Sequence, residues 1–202
     1  MTPNVPWLEV AVFTVKELEK SDALQKHTHQ ELATLPGFVR GIALCGLDDR
    51  ASRADVILWE SEATAKAAVS TIESDERFVA FMQNIESIRH FAHYMGASVE
   101  ALNRLAASTI IEIAAYEVTA EGGIAELRQQ VQEALHDVEG ASPQIAGIRT
   151  DSQSNLVDLI GWSSKTIHEA APGILMQRHP EFEPFFSGIE KMEVFELFER
   201  VF

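Results

Sequence analysis

His27, His90 and His93 are the side chains of this sequence best suited to moving a proton near neutral pH, because an unperturbed imidazole titrates there. Tyr116 adds a phenolic hydroxyl, and Trp59, Trp162 and Phe81 offer ring faces on which an aromatic ligand can lie. The run His27-Thr28-His29 is not a helical metal pair, since two ligands on one helix face need a spacing of three or four. His29 points about 100° per residue further round that helix. His90 and His93, three apart in a strand, face opposite sides: His93 with Phe91, His90 with Ile88 and Tyr94. No Gly-rich phosphate loop, Cys/His metal spacing, Gly-x-Ser-x-Gly elbow or acidic magnesium cluster occurs, so no metal site is expected.

The elements that must position these residues appear twice. Leu8–Val15 and Ile111–Val118 are short, β-branched and aromatic segments that read as strands, and they are separated by a constant offset of 103. Trp59 and Trp162 keep that offset, each closing an apolar run. Phe78, Phe81, Ile85 and Phe91 correspond at 104 to Phe182, Phe185, Ile189 and Phe195. Within each copy the order reads strand, helix, strand, strand, helix, strand. The first helices span roughly 17–34 and 121–138. Ile124, Leu127, Val131, Leu135 and Val138 form one apolar stripe in the latter, matched by Leu24, Thr28, Leu32 and Leu35 in the former. Second strands are expected at 38–44 and 144–150, short aromatic helices at 75–84 and 181–188, and last strands at 86–94 and 191–198. The chain thus divides into 1–96, an Ala-rich linker at 97–107, and 108–202.

A βαββαβ unit leaves one sheet face under its helices and the other bare. In a tandem chain each bare face covers the other, giving an α+β protein of two ferredoxin-like repeats packed sheet to sheet as an intramolecular barrel with helices outside. Matched residues such as Trp59/Trp162 then read as scaffold. The mismatches are where function is written: His27/Gln130, Thr28/Val131, His90/Val194, His93/Leu197 and Phe13/Tyr116.

The stretch Val56-Ile57-Leu58-Trp59-Glu60-Ser61-Glu62-Ala63, continuing to Phe78-Val79-Ala80-Phe81, resembles the strand–Trp-Glu-Ser–helix–Phe-x-x-Phe signature of the dimeric α+β barrel superfamily. Within that superfamily the stretch most resembles the antibiotic-biosynthesis monooxygenase (ABM) family. The second copy keeps a degenerate version, Gly161-Trp162-Ser163-Ser164 through Phe182-Glu183-Pro184-Phe185. The resemblance implies a cofactor-independent monooxygenase acting on a hydrophobic or aromatic small molecule, with the substrate itself supplying the electron to O₂. For the haem-degrading branch it implies an Asn, a Trp and a His. Those positions fall near Ala11, Ala68 and Met82, or Ala114, Ala171 and Phe186, so that trio is missing here.

The site expected on these grounds has His27 and His93 as catalytic residues, one of them the proton acceptor, with Trp59, Phe81 and Tyr116 holding the substrate. No cofactor is required. The competing reading is a non-catalytic ligand-binding or stress-associated barrel. Excess acid, with a net charge of −15 spread over both copies and no basic stripe, excludes nucleic acid and anionic membranes as partners. No apolar run is long enough to span a bilayer, the start lacks a secretory leader, and the lone Cys45 suits a reducing cytoplasm. The expected assembly is a monomer with an internal pseudo-dimer, or a homodimer.

Overall fold

A computed structural model describes residues 6–119 and 123–202. Residues 1–5 and 120–122 lie outside them, the latter including the first two residues expected in the second copy's first helix, 121–138. The elements run β1 (Trp7–Val15), α1 (Leu18–Leu32), β2 (Phe38–Gly46), β3 (Ser52–Trp59), α2 (Glu62–Ser74), α3 (Val79–Asn84) and β4 (Ile85–Met95). After α4 (Val99–Ala106) they repeat as β5 (Ile110–Val118), α5 (Ile124–Leu135), β6 (Ala141–Arg149), β7 (Asn155–Trp162), α6 (Lys165–Arg178), α7 (Glu183–Ser187) and β8 (Ile189–Arg200). A 3₁₀ turn precedes α3 and another precedes α7.

The eight strands close into one antiparallel barrel in the order β1-β3-β2-β8-β5-β7-β6-β4. Each half contributes four neighbouring strands, and the seams are β2 with β8 and β4 with β6. Closure explains why the strands look apolar on both faces. Leu8, Val10 and Val12 point into the barrel with Ala54, Val56 and Leu58, while Ile57 and Trp59 point out beneath the helices. A sheet buried on both sides needs near-continuous hydrophobes, which is what β3 and β5 show.

Two devices recur in both halves. Gly37 and Gly140 take positive φ to turn α1 into β2 and α5 into β6, and a Cβ on Gly37 would lie 2.4 Å from Thr64. In β4 and β8, paired register shifts against β1 and β5 mark bulges. Each bulge re-aims the strand, so Ile85, Ile88 and Phe91 all face the helices at a period of three, as do Ile189, Met192 and Phe195. Ile88 therefore sits opposite to the face expected from strict alternation: it shares the helix side with Phe91, while His90 turns into the barrel. The linker helix α4 does more than connect. Leu102 and Leu105, both fully buried, join the barrel's own core cluster.

Candidate functional site

Between sheet and helices each half holds one cavity, of about 190 Å³ in the first and about 280 Å³ in the second. The two are counterparts residue by residue. Glu9, Ala11, Phe13, Asp55, Phe81 and Phe91 line the first where Glu112, Ala114, Tyr116, Asp158, Phe185 and Phe195 line the second. Ala11 and Ala114, where the haem-degrading branch would carry Asn, lie on the cavity walls as small apolar residues.

Each cavity contains two buried carboxylates, an arrangement that a lone sheet–helix core would not tolerate without partners. They come from equivalent positions, Glu9 and Glu112 on the first strand of each half, Asp55 and Asp158 on the third. Their partners differ. Asp55 Oδ1 accepts from Gln25 Nε2 at 2.8 Å and lies 2.7 Å from His29 Nε2, both on α1. Asp158 Oδ1 instead accepts from Arg128 Nε and a terminal guanidinium nitrogen at 3.1 and 2.7 Å, and Oδ2 accepts the Tyr116 hydroxyl at 2.5 Å. Burial, followed by the Asp158 charge, pushes the Tyr116 hydroxyl well above the ordinary phenol range. Burial opposes the Arg128 charge, but Asp158 and Tyr116 beside it outweigh burial and keep the guanidinium more basic than usual.

The glutamates each hold a histidine, taken from non-equivalent elements. Glu9 Oε2 lies 3.1 Å from His93 Nε2, directly across the β1–β4 register. Glu112 Oε2 lies 2.9 Å from His168 Nε2 and also accepts the Trp162 indole N–H at 3.1 Å. His168 stands in the first turn of α6, which Ser164 caps through the Ile167 amide. Its ring meets Trp162 edge-on at 5.3 Å and leans on Phe195 at 5.8 Å. Its Nδ1 is buried with no partner among the described residues. His168 also borders an adjoining groove of about 320 Å³ shared with Asp48, Lys165 and Glu169.

The residues expected from sequence do not converge on one cavity. Phe81 lines the first, against Phe13 at 5.5 Å, and His93 reaches it through Glu9. Tyr116 lines the second. Trp59 lines neither. It is wholly buried, packed edge-on against Phe38 at 5.7 Å, and its N–H has no partner among the described residues. His27 is exposed on the outer face of α1, whereas Gln25, Thr28 and His29 form the buried face. The buried histidine of that helix is His29, because it lies one turn beyond Gln25 on the same face. The four carboxylates and His168 are not among the site residues expected from sequence. The signal for the carboxylates was present: acidic residues repeated at an offset of 103 inside otherwise apolar strands.

The solved structures similar to this chain decide the fold. One is a candidate monooxygenase from Fusobacterium nucleatum, 12% identical, covering 100% of this chain and 94% of that one, TM-score 0.68. The chain has the dimeric α+β barrel fold. An anthrone oxidase-like protein is similar over 98% of this chain and 92% of its own length, at 15% identity and TM-score 0.71. A chlorite dismutase from Candidatus Nitrospira defluvii is similar over 99% and 92%, at 9% identity and TM-score 0.66. No protein-family model and no curated relative matches the sequence. Among the described residues no helix is long and apolar enough to cross a membrane. No group of three or more His, Cys, Asp or Glu side chains among them is placed to hold a metal ion.

Proposed function

We propose that the second-half cavity binds a hydrophobic or aromatic small molecule and oxygenates it without a dissociable cofactor. The observation that carries this reading is the His168–Glu112 pair on the wall of an aromatic-lined cavity. With Nε2–H donated to the glutamate, the imidazole lone pair lies on Nδ1, which makes that nitrogen the base. Trp162 holds the other side of the chemistry in place by donating to the same carboxylate oxygen. The adjoining groove gives the histidine a route for exchanging its proton with solvent.

A substrate methylene made acidic by flanking aromatic rings gives one proton to Nδ1 and becomes a carbanion. The carbanion passes one electron to O₂, and the radical pair combines into a C–O–O bond. The peroxide takes back the proton. Loss of the carbon's second proton then forms C=O as the O–O bond breaks, and the hydroxide released takes that proton as water. One methylene and one O₂ thus become one carbonyl and one water. Phe185, Phe186 and Phe195 supply the apolar surface that holds the rings. Tyr116 is committed to Asp158 and shapes the wall. The barrel closes within the chain, so this site needs no second subunit. We take 1–96 and 108–202 as its two repeats and, from the one buried free cysteine, a reducing cytoplasm as its compartment.

The neighbour named as anthrone oxidase-like indicates the first compound to try. Aerobic anthrone, followed by its absorbance change and by oxygen uptake, should be oxidised faster with the protein than in buffer. His168→Gln should lower that rate by about 10²-fold, the usual contribution of a positioned base. Binding without turnover would overturn the oxygenase reading and leave a ligand-binding barrel. An unchanged rate in the His168 variant would remove the histidine from the mechanism.

A further inference from the structure

The first-half cavity differs from its counterpart in how its carboxylates are satisfied. In the second half Asp158 has donors on both oxygens. In the first, the bonds to Asp55 go to Oδ1 and the one to Glu9 goes to Oε2, so Oδ2 and Oε1 have no donor among the described residues. Phe13 stands where Tyr116 does, which leaves Asp55 Oδ2 without a donor. Gln25 stands where Arg128 does, which puts a neutral amide in place of a guanidinium. The glutamate Oε1 has no donor among the described residues in either half, the bonds to Glu112 also going to Oε2 alone. The lining includes a third carboxylate, the exposed Glu73, and no lysine or arginine. Arg53, on the same strand as Asp55, is paired with Asp22. The histidine partners His29 and His93 add charge only when protonated.

A second feature points independently to a ligand. Thr28 lines the cavity, is 2% exposed, and its hydroxyl oxygen has no partner among the described residues. Its counterpart Val131 shows that the helix stripe packs there without a hydroxyl. A buried polar group left unpaired costs stability, so a polar atom entering the cavity from outside is the natural complement.

We propose that this cavity is a separate binding site for a small apolar amine taken up as its ammonium ion. The ammonium has three N–H donors, and Asp55 Oδ2, Glu9 Oε1 and Thr28 Oγ1 are three acceptors on the cavity's lining. Phe13, Phe81 and Phe91 provide the apolar walls and ring faces that favour a cation carried on a hydrocarbon. A volume of about 190 Å³ exceeds the roughly 150 Å³ that admits a benzene ring, so a one-ring arylalkylamine fits. The site stands apart from the oxygenation proposed for the other half and survives its failure.

Calorimetric titration of the full chain with 2-phenylethylamine tests this, with 2-phenylethanol as the uncharged isostere. The amine should bind at least about tenfold more tightly than the alcohol, the margin expected of charge-assisted hydrogen bonds. Thr28→Val, which installs the residue of the other half, should weaken the amine about fivefold, and Asp55→Asn should weaken it further. Ala114→Phe, which fills the second cavity, should leave amine binding unchanged. Equal affinity for amine and alcohol would overturn the proposal, as would no heat at millimolar amine. So would undiminished binding in a folded Thr28→Val protein, or loss of binding in Ala114→Phe. Should Asp55→Asn fail to fold, the Thr28 and Ala114 variants decide the matter.

Discussion

His168 Nε2 sits 2.9 Å from Glu112 Oε2, although the first-half counterpart of His168 is Ala65 and that of Glu112 finds its histidine on a different element. Each half has therefore built a glutamate–histidine pair at the same strand position by its own route. Only the second places the imidazole beside the larger aromatic cavity with an unbonded ring nitrogen.

The role of Glu112 follows from that pairing. Glu112→Gln keeps an oxygen for the Trp162 N–H and for the imidazole but gives up the charge-assisted bond that holds the ring, so the histidine is held less firmly without being lost. On anthrone the expected result is a rate reduction smaller than that of His168→Gln. A loss as deep as in His168→Gln would make Glu112 the base itself.

The Asp158 network should be the more brittle of the two buried aspartate sites. Arg128→Leu removes two hydrogen bonds and the compensating charge from a buried carboxylate, which costs about 3–5 kcal/mol. Tyr116→Phe removes one donor and should cost about 1–2 kcal/mol. Gln25→Leu in the first half leaves His29 on Asp55 and should cost less than Arg128→Leu. Guanidinium unfolding curves of the three variants check the ranking, and a Gln25 variant as damaged as the Arg128 variant would contradict it.

How far the sequence reveals this molecule depends on which regularity is read. The barrel was legible because the duplicated apolar positions, Leu8 with Ile111 and Trp59 with Trp162, repeat a pattern that only paired sheets bury. The cavities were less so. A choice between His27 and His29 turns on the rotation of α1, and two residues of error reverse inside and outside. The bulges that bring Ile88 and Met192 to the cavity sides leave no mark in hydrophobic alternation. His168 went unread because its helix meets Glu112 only after the chain has folded, 56 residues along the sequence.

Helix α4 should prove part of the barrel's stability. Leu102 and Leu105 are fully buried in the cluster that also holds Leu8, Ile111 and Leu159. Leu102→Ala and Leu105→Ala should each destabilise the protein by about 2–5 kcal/mol through lost burial and the cavity left behind. Val99→Ala, on the exposed start of the same helix, should change stability by less than about 0.5 kcal/mol. A helix serving only as a tether would give three small effects.

His90 gives the fold an acid-sensitive seam inside the barrel. Its Nδ1 lies 3.1 Å from Glu193 Oε2 and its Nε2 2.8 Å from the Tyr94 hydroxyl, so it joins the last strands of the two halves. Burial outweighs the attraction of Glu193 and holds its pKa below the ordinary histidine value. The folded state therefore favours the neutral ring, and on acidification the unfolded chain takes up a proton before the folded one does. Stability is full above about pH 6.5 and declines as pH falls below it. His90→Val, the residue present at the counterpart Val194, should flatten the dependence of melting temperature on pH between about 6.5 and 5 while leaving other titrations in place. Parallel melting curves of the two proteins across that range would show that another group carries the acid sensitivity.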